Sequence, residues 1–176
     1  MCAHRLWQRS DPPIMSLRII ATGGTFDKHY NPIDGQLVFG DSVLPEALAR
    51  ARLSDAHVFQ SLMAIDSLDM VDSHRQQILA ACKAAPEDRI VVVHGTDTLR
   101  ETAEVLAGAQ LTKTIVLTGA MVPYDITGSD ALFNLGSAIV ATQLCAPGVW
   151  VAMQGRVFAW HEVRKNRAAG RFEHTD

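Results

Sequence analysis

The sequence predicts an α/β fold with a mainly parallel sheet and helices on both faces. Short apolar runs rich in β-branched residues alternate with segments whose apolar residues recur at helical spacing. Each apolar run ends in glycine or small polar residues, which is typical of the loops that follow strands in such sheets. The 176 residues, of which 48% are hydrophobic and 20% charged, suit one globular domain.

The chain repeats a strand followed by a helix four times, and a further strand follows. We expect strands at 17–21, 57–65, 89–94, 114–118 and 148–153. We expect helices at 44–53, 75–85, 98–109 and 129–144, with Ser73 as the N-cap of the second helix. This alternation predicts right-handed crossovers and a doubly wound, flavodoxin- or Rossmann-like three-layer single domain.

Three segments fall outside that alternation. The stretch from Phe26 to Gly40 lacks periodicity and is long for an inert connection, so we predict a functional flap. From Lys165 onward the chain is polar, and its basic residues favour a solvated segment over an anion-binding one. Residues 1–14 lack the apolar core of a secretory signal, and we expect a disordered leader or extended start ahead of a domain at 15–176.

Composition argues against several functional classes. A formal net charge of −3 disfavours a nucleic-acid partner held by phosphate neutralisation. No apolar run approaches the ~20 residues of a membrane span, so we expect no membrane partner. The three cysteines lack metal-ligand spacing and predict free thiols in a reducing, cytoplasmic setting. The histidines form no helical pair with an acidic neighbour, so we expect no metal.

Polar residues follow five of the predicted strands. The segments concerned are 22–25, 66–69, 94–98, 119–123 and 154–155. Because parallel strands present their carboxyl ends at one edge, we expect these segments to share one ligand-binding crevice. The glycines of the first segment match neither a dinucleotide-binding nor a triphosphate-binding loop, so we expect no cofactor. Hydroxyls, carboxylates, one phenol and one amine remain, and such a set can run acyl transfer.

Two threonine motifs resemble those of a known family. Residues 21–25 read Ala-Thr-Gly-Gly-Thr, and residues 94–98 read His-Gly-Thr-Asp-Thr. Further agreement lies in Tyr30-x-Pro-x-x-Gly-x-Leu, Ser67-x-Asp69-Met70, Gly119-Ala120-Met121, Asp130 to Asn134 and Val163-x-Lys165. The chain resembles the bacterial-type L-asparaginases, related to the glutaminase-asparaginases. The resemblance covers nearly all of the chain but only the N-terminal domain of the longer family form, so we expect the second domain to be absent.

The resemblance implies a cytoplasmic homo-oligomer, dimer or tetramer, that hydrolyses L-asparagine to L-aspartate and ammonia, with L-glutamine as a second candidate substrate. The catalytic residues that it implies are Thr25 as nucleophile in an acyl-enzyme mechanism, Tyr30 as its activator, and Thr96, Asp97 and Lys165 as a second triad. The substrate-binding residues that it implies are Gly24, Asp66, Ser67 for the α-carboxylate, Thr96, Asp97 for the α-ammonium and Ala120 for the amide. Whether Lys165 acts as a base or as a counter-ion stays open.

Each site residue also has a purely structural interpretation. The alternatives are a turn cap for Thr25, an N-cap pair for Thr96 and Asp97, a turn residue for Ser67, an exposed turn aromatic for Tyr30 and a solvated side chain for Lys165. Two further functions stay open, a non-catalytic sensor of asparagine or aspartate and the ammonia-producing subunit of a tRNA-dependent amidotransferase.

The sequence departs from the family at several points. Leu68 stands where many members have glutamine, and Val122 stands where arginine is common. Without a second domain, the site is expected to be more open to water. Trp150, Phe158 and Trp160 are candidates for a surface covered by a partner chain, with burial in the core as an equal alternative.

Overall fold

The computed structural model describes residues 16–175. In chain order the strands are β1 (Leu17–Gly23), β2 (Lys28–Asn31), β3 (Gln36–Phe39), β4 (His57–Ile65), β5 (Arg89–Val93), β6 (Thr114–Thr118), β7 (Gly148–Met153), β8 (Arg156–Ala159), β9 (Val163–Asn166) and β10 (Arg171–His174). The helices are α1 (Leu44–Ala51), α2 (Asp72–Ala84), α3 (Leu99–Gly108) and α4 (Ala131–Leu144). Short 3₁₀ turns occupy Thr25–Asp27, Ser67–Asp69 and Trp160–Glu162.

The main sheet has six strands in the order β4-β1-β5-β6-β7-β8. Its first five strands are parallel, and β8 pairs antiparallel with β7. This confirms the predicted α/β fold class and the central place of the strand at Arg89–Val93.

Both faces of the sheet are covered by helices. Successive side chains of a strand point to opposite faces, so Ile90 and Val92 pack in one core and Val91 and Val93 in the other. Helices α1 and α4 contribute to the core that contains Val91, whereas α2 and α3 contribute to the core with Ile90. A β-branched run is favoured in β5 because that strand is buried on both faces.

The strand order fixes where a ligand can bind. From β1 the chain first adds β4 on one side and then crosses back to add β5 on the other side of β1. The loops that follow β1 and β5 therefore leave the sheet in opposite directions, which opens a crevice between the carboxyl ends of these two strands. The two threonine motifs lie in these two loops.

The structure corrects the prediction for the second helix and gives the secondary structure of the predicted flap. Helix α2 begins at Asp72 with Val71 as N-cap, rather than at a cap on Ser73. The Val71 N–H donates to the His74 side chain at 3.1 Å, which satisfies one amide at this end of the helix. The stretch from Phe26 to Gly40 contains the β2–β3 hairpin, whose strands were missed because each has only four residues, and its role as a functional flap stays a prediction.

Most residues after Lys165 are exposed, in line with the predicted solvated segment, but they form an ordered hairpin that was not predicted. Strands β9 and β10 pair antiparallel, and Phe172 is buried against the core that contains Ile90. The Phe172 N–H donates to the Gln154 side chain at 2.9 Å, which attaches the hairpin to the end of β7. A single apolar anchor in a polar hairpin leaves too weak a sequence pattern to predict.

Two remaining expectations concern the surface and the first residues. Phe158 is buried, and Trp150 and Trp160 are partly buried against the two cores, so the core interpretation holds for all three. The expected leader at 1–14 lies outside the described residues. Over residues 16–175, no helix has both the length and the apolar character needed to cross a bilayer.

Candidate active site

Close backbone approach brings three loops together at the crevice. Gly24 has a φ of 74°, in the left-handed region that favours glycine, and a Cβ there would collide with the backbone of Gly95. A Cβ at Gly95 would collide in turn with the Ser67 side chain. The Thr22 hydroxyl donates to the Val93 carbonyl at 2.9 Å and fastens the first loop to β5. These glycines therefore permit the convergence that the strand order predicts.

Thr96, Asp97 and Lys165 form a hydrogen-bonded group, which we call the second-motif cluster. The Lys165 ammonium donates to the Thr96 hydroxyl at 2.7 Å and to Asp97 Oδ1 at 3.0 Å. Thr96 is buried, and the Lys165 side chain is only 14% exposed. The structure thus contradicts the solvated alternative for Lys165. Helix α3 takes Thr98 as N-cap, so the N-cap alternative for Thr96 and Asp97 is also wrong.

Asp97 carries a second cation. Arg167, on the turn between β9 and β10, lies 3.1 Å from Asp97 Oδ1 through its Nη2. Both cations contact the same oxygen, and in the described part of the chain Oδ2 has no hydrogen-bond donor. That oxygen is therefore available to a further donor such as an ammonium group.

Ser67 joins the loop after β4 to the loop after β5. The Asp97 N–H donates to the Ser67 hydroxyl at 3.2 Å, and the Thr98 hydroxyl donates to the Ser67 carbonyl at 2.7 Å. Ser67 is buried, unlike an ordinary turn residue. Its own hydroxyl proton has no acceptor among residues 16–175, so it is free to donate to a ligand.

Thr25 and Tyr30 belong to a second group, the first-motif segment (Thr25 to Tyr30). Thr25 begins a 3₁₀ turn after Gly24 and makes no capping hydrogen bond, so the cap alternative is wrong. Within residues 16–175 its hydroxyl has no hydrogen-bond partner, and it is half-buried. Tyr30 lies on β2 rather than in a turn, is 56% exposed and makes no hydrogen bond to Thr25 in this range. The structure does not join the two by a hydrogen bond.

Two ion pairs attach the β2–β3 hairpin to the site. Lys28 Nζ donates to Asp66 Oδ2 at 2.5 Å, and Asp66 Oδ1 accepts the Leu68 N–H at 3.0 Å. The Lys28 contact is the main reason that the pKa of Asp66 lies below its ordinary value. Since residues i and i+2 of a strand share a face, Tyr30 lies on the same face of β2 as Lys28. Through Lys28 and the Leu68 N–H, both carboxylate oxygens of Asp66 already accept hydrogen bonds from the protein.

His29, on the opposite face of β2, forms the second attachment. Its Nδ1 donates to Asp125 Oδ2 at 2.5 Å, and its Nε2 donates to the Asp41 carbonyl at 2.9 Å. Both partners are acceptors, so both ring nitrogens must carry protons. The Asp41 carbonyl, followed by Asp125, raises the pKa of His29 above its ordinary value.

The loop that contains Ala120 is held by the start of α4. The Asp130 carboxylate accepts the N–H groups of Met121 and Val122 at 2.9 and 3.0 Å. Asn134, which is fully buried, donates to the Gly119 carbonyl at 3.0 Å and to Asp130 at 2.8 Å. Ala120 is also fully buried, so only its backbone can be offered to a ligand.

Sequence reasoning missed several residues that build this site. Lys28, His29 and Arg167 carry no motif that predicts their partners. His94 opens the second threonine motif, but no role was predicted for it. It is fully buried, its Nδ1 donates to the Gly95 carbonyl at 2.7 Å, and its Nε2 lies 2.8 Å from the Thr102 hydroxyl. Burial lowers the pKa of His94 to about 4, so the ring is a neutral link between the β5 loop and α3.

These features define an α/β protein with a polar, small-ligand crevice at the switch point of its sheet. The crevice offers two threonine hydroxyls, one of them bonded to a lysine, and a carboxylate with a free oxygen. Over residues 16–175 no group of three or more histidine, cysteine or acidic side chains is placed to hold a metal ion. The side chains present suit acyl transfer by a hydroxyl group.

Comparison with known proteins identifies the family. Residues 16–173 match the model of the asparaginase N-terminal domain, and the chain belongs to the asparaginase family. It is similar to L-asparaginase 1 of Escherichia coli K12, with 29% identity over 165 residues, 88% of this chain and 48% of that protein. The structure of the thermostable L-asparaginase from Thermococcus kodakarensis matches with a TM-score of 0.81 and 27% identity over 91% of this chain and 51% of that one.

A third relative is named for a different activity. The chain is 29% identical over 157 residues to one component of the glutamyl-tRNA(Gln) amidotransferase of Methanococcus vannielii, 84% of this chain and 36% of that protein. The chain spans about half the length of the two asparaginases, or less for this relative. Membership of the family and the fold follow from these matches.

Proposed function

We propose that the protein is an amidohydrolase that converts L-asparagine and water to L-aspartate and ammonia. The observation that carries this proposal is the Lys165 ammonium, which bridges the Thr96 hydroxyl at 2.7 Å and the Asp97 carboxylate at 3.0 Å in a family member. An amine fixed between a hydroxyl and a carboxylate is suited to orient that hydroxyl and to neutralise charge near it. L-Glutamine, which is one methylene longer, is the second candidate substrate.

Thr25 is the proposed nucleophile. Its hydroxyl oxygen attacks the amide carbon, its proton passes to the leaving nitrogen with the help of Tyr30, and ammonia departs to leave an acyl-enzyme ester. Water then attacks the ester carbon, releases L-aspartate and returns a proton to Thr25. Among the described residues the Thr25 hydroxyl has no hydrogen-bond partner, so it is available to react with a substrate.

The proposed substrate contacts use crevice groups whose hydrogen-bonding capacity is not filled among the described residues. The Ser67 hydroxyl, whose proton has no acceptor among the described residues, donates to the α-carboxylate. Asp97 Oδ2 accepts the α-ammonium, while the backbone at Gly24 and Ala120 contacts the reacting amide. Asp66 contributes through its charge beside Lys28, since both of its oxygens already accept hydrogen bonds. The Thr96 hydroxyl is the last of the proposed substrate contacts.

The proposed setting is a reducing compartment such as the cytoplasm, with no cofactor and no nucleic-acid partner. Cys82 and Cys145 are free thiols, and burial raises the pKa of the Cys82 thiol to about 12, which makes it inert. The net charge of −3 gives no general attraction to phosphates.

Ammonia release tests the proposal. We expect the full chain to release ammonia from L-asparagine faster than from L-glutamine, measured by a coupled assay at 1–100 µM protein. Thr25→Ala should lose more than about 10⁴-fold in kcat, while L-aspartate binding, measured by calorimetry, stays within about threefold of the parent. Thr112→Ala, at an exposed position outside the crevice, is the matched control. Full turnover by the Thr25 variant would exclude it as nucleophile.

A non-catalytic sensor is the second candidate. It is favoured by the unpartnered Thr25 hydroxyl and by the 56% exposure of Tyr30, because the activating pair is not assembled. L-Aspartate or L-asparagine binding without ammonia release at any protein concentration would establish it. Ammonia release from L-glutamine alone would instead favour an amidotransferase-type role.

A further inference from the structure

Arg75 is a buried cation for which the proposed reaction has no role. It is the fourth residue of α2, and only 7% of it is exposed. An arginine stays protonated in proteins, so it cannot avoid the cost of burial by losing its charge. In the described part of the chain, its only carboxylate partner within 4 Å is that of Asp72, which lies 3.9 Å away and is fully exposed to solvent. The positive charge of Arg75 is therefore poorly compensated within residues 16–175.

The guanidinium group of Arg75 is also incompletely hydrogen-bonded. Its Nη1 donates to the Met70 carbonyl at 3.2 Å, whereas its buried Nε–H has no acceptor among residues 16–175. An unpaired buried donor costs free energy, and a cation near the amino-terminal end of a helix opposes the helix dipole. An apolar side chain of similar volume would avoid both costs. The stability of the fold alone therefore gives no reason for an arginine at this position.

A short series of hydrogen bonds links Arg75 to Ser67. Met70 follows the 3₁₀ turn Ser67–Asp69, and its N–H donates to the Ser67 carbonyl at 3.4 Å. The Met70 carbonyl in turn accepts the bond from Arg75. Arg75 therefore holds the carboxyl-terminal end of the turn that places the Ser67 hydroxyl in the crevice.

The charge of Arg75 also acts on residues that pack beside Ser67. Burial is the main cause of the lowered pKa of His94, and the positive charge of Arg75 lowers that pKa further. His94 adjoins Gly95, at which a Cβ would lie 2.5 Å from the Ser67 hydroxyl oxygen. Charges interact more strongly in a buried environment than in water, because the effective dielectric constant is lower. The positive potential of Arg75 therefore extends to the surroundings of Ser67.

We propose that Arg75 is a positioning residue for the α-carboxylate of the substrate. It holds the Ser67 turn in place, and its buried charge favours an anion at the Ser67 hydroxyl. A bound α-carboxylate supplies the negative charge that Arg75 lacks within the described chain. This role explains why a poorly paired cation lies where an apolar side chain would be more stable. The inference rests on the proposed contact between Ser67 and the α-carboxylate.

Binding of L-aspartate to the full chain, measured by calorimetry, tests this inference without depending on turnover. We expect Arg75→Met to weaken binding roughly tenfold, at the low end of what a contact with a charged group contributes. Its urea midpoint should equal or exceed that of the parent, because a poorly paired buried charge is removed. Arg75→Lys, which keeps the charge, should bind within about threefold of the parent. Arg89→Met, a matched change of a side chain that is 11% exposed at the amino-terminal end of β5, should leave binding unchanged.

A second ligand separates recognition of the α-carboxylate from general damage to the site. β-Alanine is L-aspartate without its α-carboxylate, so its affinity, measured by displacement of L-aspartate, should be the same for the parent and for Arg75→Met. Equal weakening of both ligands, a parallel loss of stability and binding in Arg75→Met, or an Arg75→Lys variant as weak as Arg75→Met would each overturn the proposal. A parent that does not bind L-aspartate would also overturn it. If the expected pattern appears in a parent that releases no ammonia, the proposed hydrolysis fails and the role of Arg75 stands.

Discussion

The two threonine motifs lie on opposite sides of one crevice but differ in how firmly their side chains are held. In the second-motif cluster (Thr96, Asp97 and Lys165), Thr96 is buried and Lys165 bonds both of its neighbours at 3.0 Å or less. In the first-motif segment (Thr25 to Tyr30), the Thr25 hydroxyl has no partner among residues 16–175, and Tyr30 is more than half exposed.

Under the proposed mechanism, this difference suits the two halves to different physical tasks. A preorganised cluster stabilises charge without reorganising when the reaction proceeds, and it suits substrate holding and the hydrolytic step. A hydroxyl with no internal partner meets a substrate without first breaking a bond, but it needs an activating group that moves into place. In the proposed reaction, the position of the β2–β3 hairpin decides whether Tyr30 reaches Thr25. Lys28 and His29 join this hairpin to the rest of the site.

Removing the Lys165 ammonium should disrupt the second-motif cluster. We expect Lys165→Met to lower kcat for ammonia release by about 10³-fold, in the range of a lost proton-transfer or charge-stabilising group. KM for L-asparagine should change less, because Arg167 still neutralises Asp97 at 3.1 Å. Steady-state kinetics measure both parameters.

Lys113→Met is the matched control for that variant. Lys113 is also partly buried, and it donates to the carbonyls of Ala85 and Glu87, next to the amino-terminal ends of β5 and β6 and thus at the edge of the sheet opposite the crevice. Its loss should lower stability and leave kcat within about twofold. If Lys165→Met kept more than a tenth of the parent kcat, the second-motif cluster would have no part in the chemistry.

Substitution of Thr96 and of Thr25 should change the free energy of unfolding by different amounts. Thr96→Val removes an acceptor from a nearly buried ammonium, and we expect a loss of about 1–2 kcal/mol in the free energy of unfolding. Thr25→Val removes a hydroxyl with no partner in the described range and should stay within about 0.5 kcal/mol of the parent. Urea unfolding at one fixed protein concentration measures the pair. Equal losses would show that Thr25 has an internal partner in solution.

How well a feature could be predicted from the sequence depends on how far apart in the chain its interacting residues lie. The main strands and helices follow from local periodicity, and Thr96 and Asp97 adjoin a strongly patterned strand, so their place at the crevice was predictable. Lys165 lies 69 residues from Thr96 in a polar hairpin, and only the resemblance assigned it to the site. The sequence pattern alone favoured a solvated segment there.

Long-range polar pairs were not predictable because any acid can meet any base until the topology is known. His29 and Asp125 are 96 residues apart, and Lys28 and Asp66 are 38 apart. Helix α4 is different, since a signal was present in its sequence. Fourteen helical residues without a charge predict burial on all sides, whereas the three aromatic residues predicted as candidates for a partner surface pack against the core.

The smallest expected effect concerns the less firmly held half and its dependence on pH. The Asp41 carbonyl and the Asp125 carboxylate raise the pKa of His29, while Asp27 adds a further negative charge nearby. A raised pKa in the folded state means that protonated His29 stabilises the hairpin. That contribution is complete below the ordinary value of ~6.5 and is lost as the pH rises through the higher folded-state value. The hairpin should therefore loosen on the alkaline side.

Limited proteolysis can measure this loosening. Cleavage before Asp34 by an Asp-specific protease, normalised to a peptide of residues 28–40, should rise about two- to threefold between pH 6 and pH 8.5 in the parent. Asp125→Ala removes the carboxylate that faces His29, so its cleavage should be fast at both pH values. If parent and variant showed the same pH profile, His29 would not hold the hairpin, and the difference between the two halves would need another cause. If only the parent responded, the ion pair of protonated His29 with Asp125 would be the interaction that holds the hairpin in place.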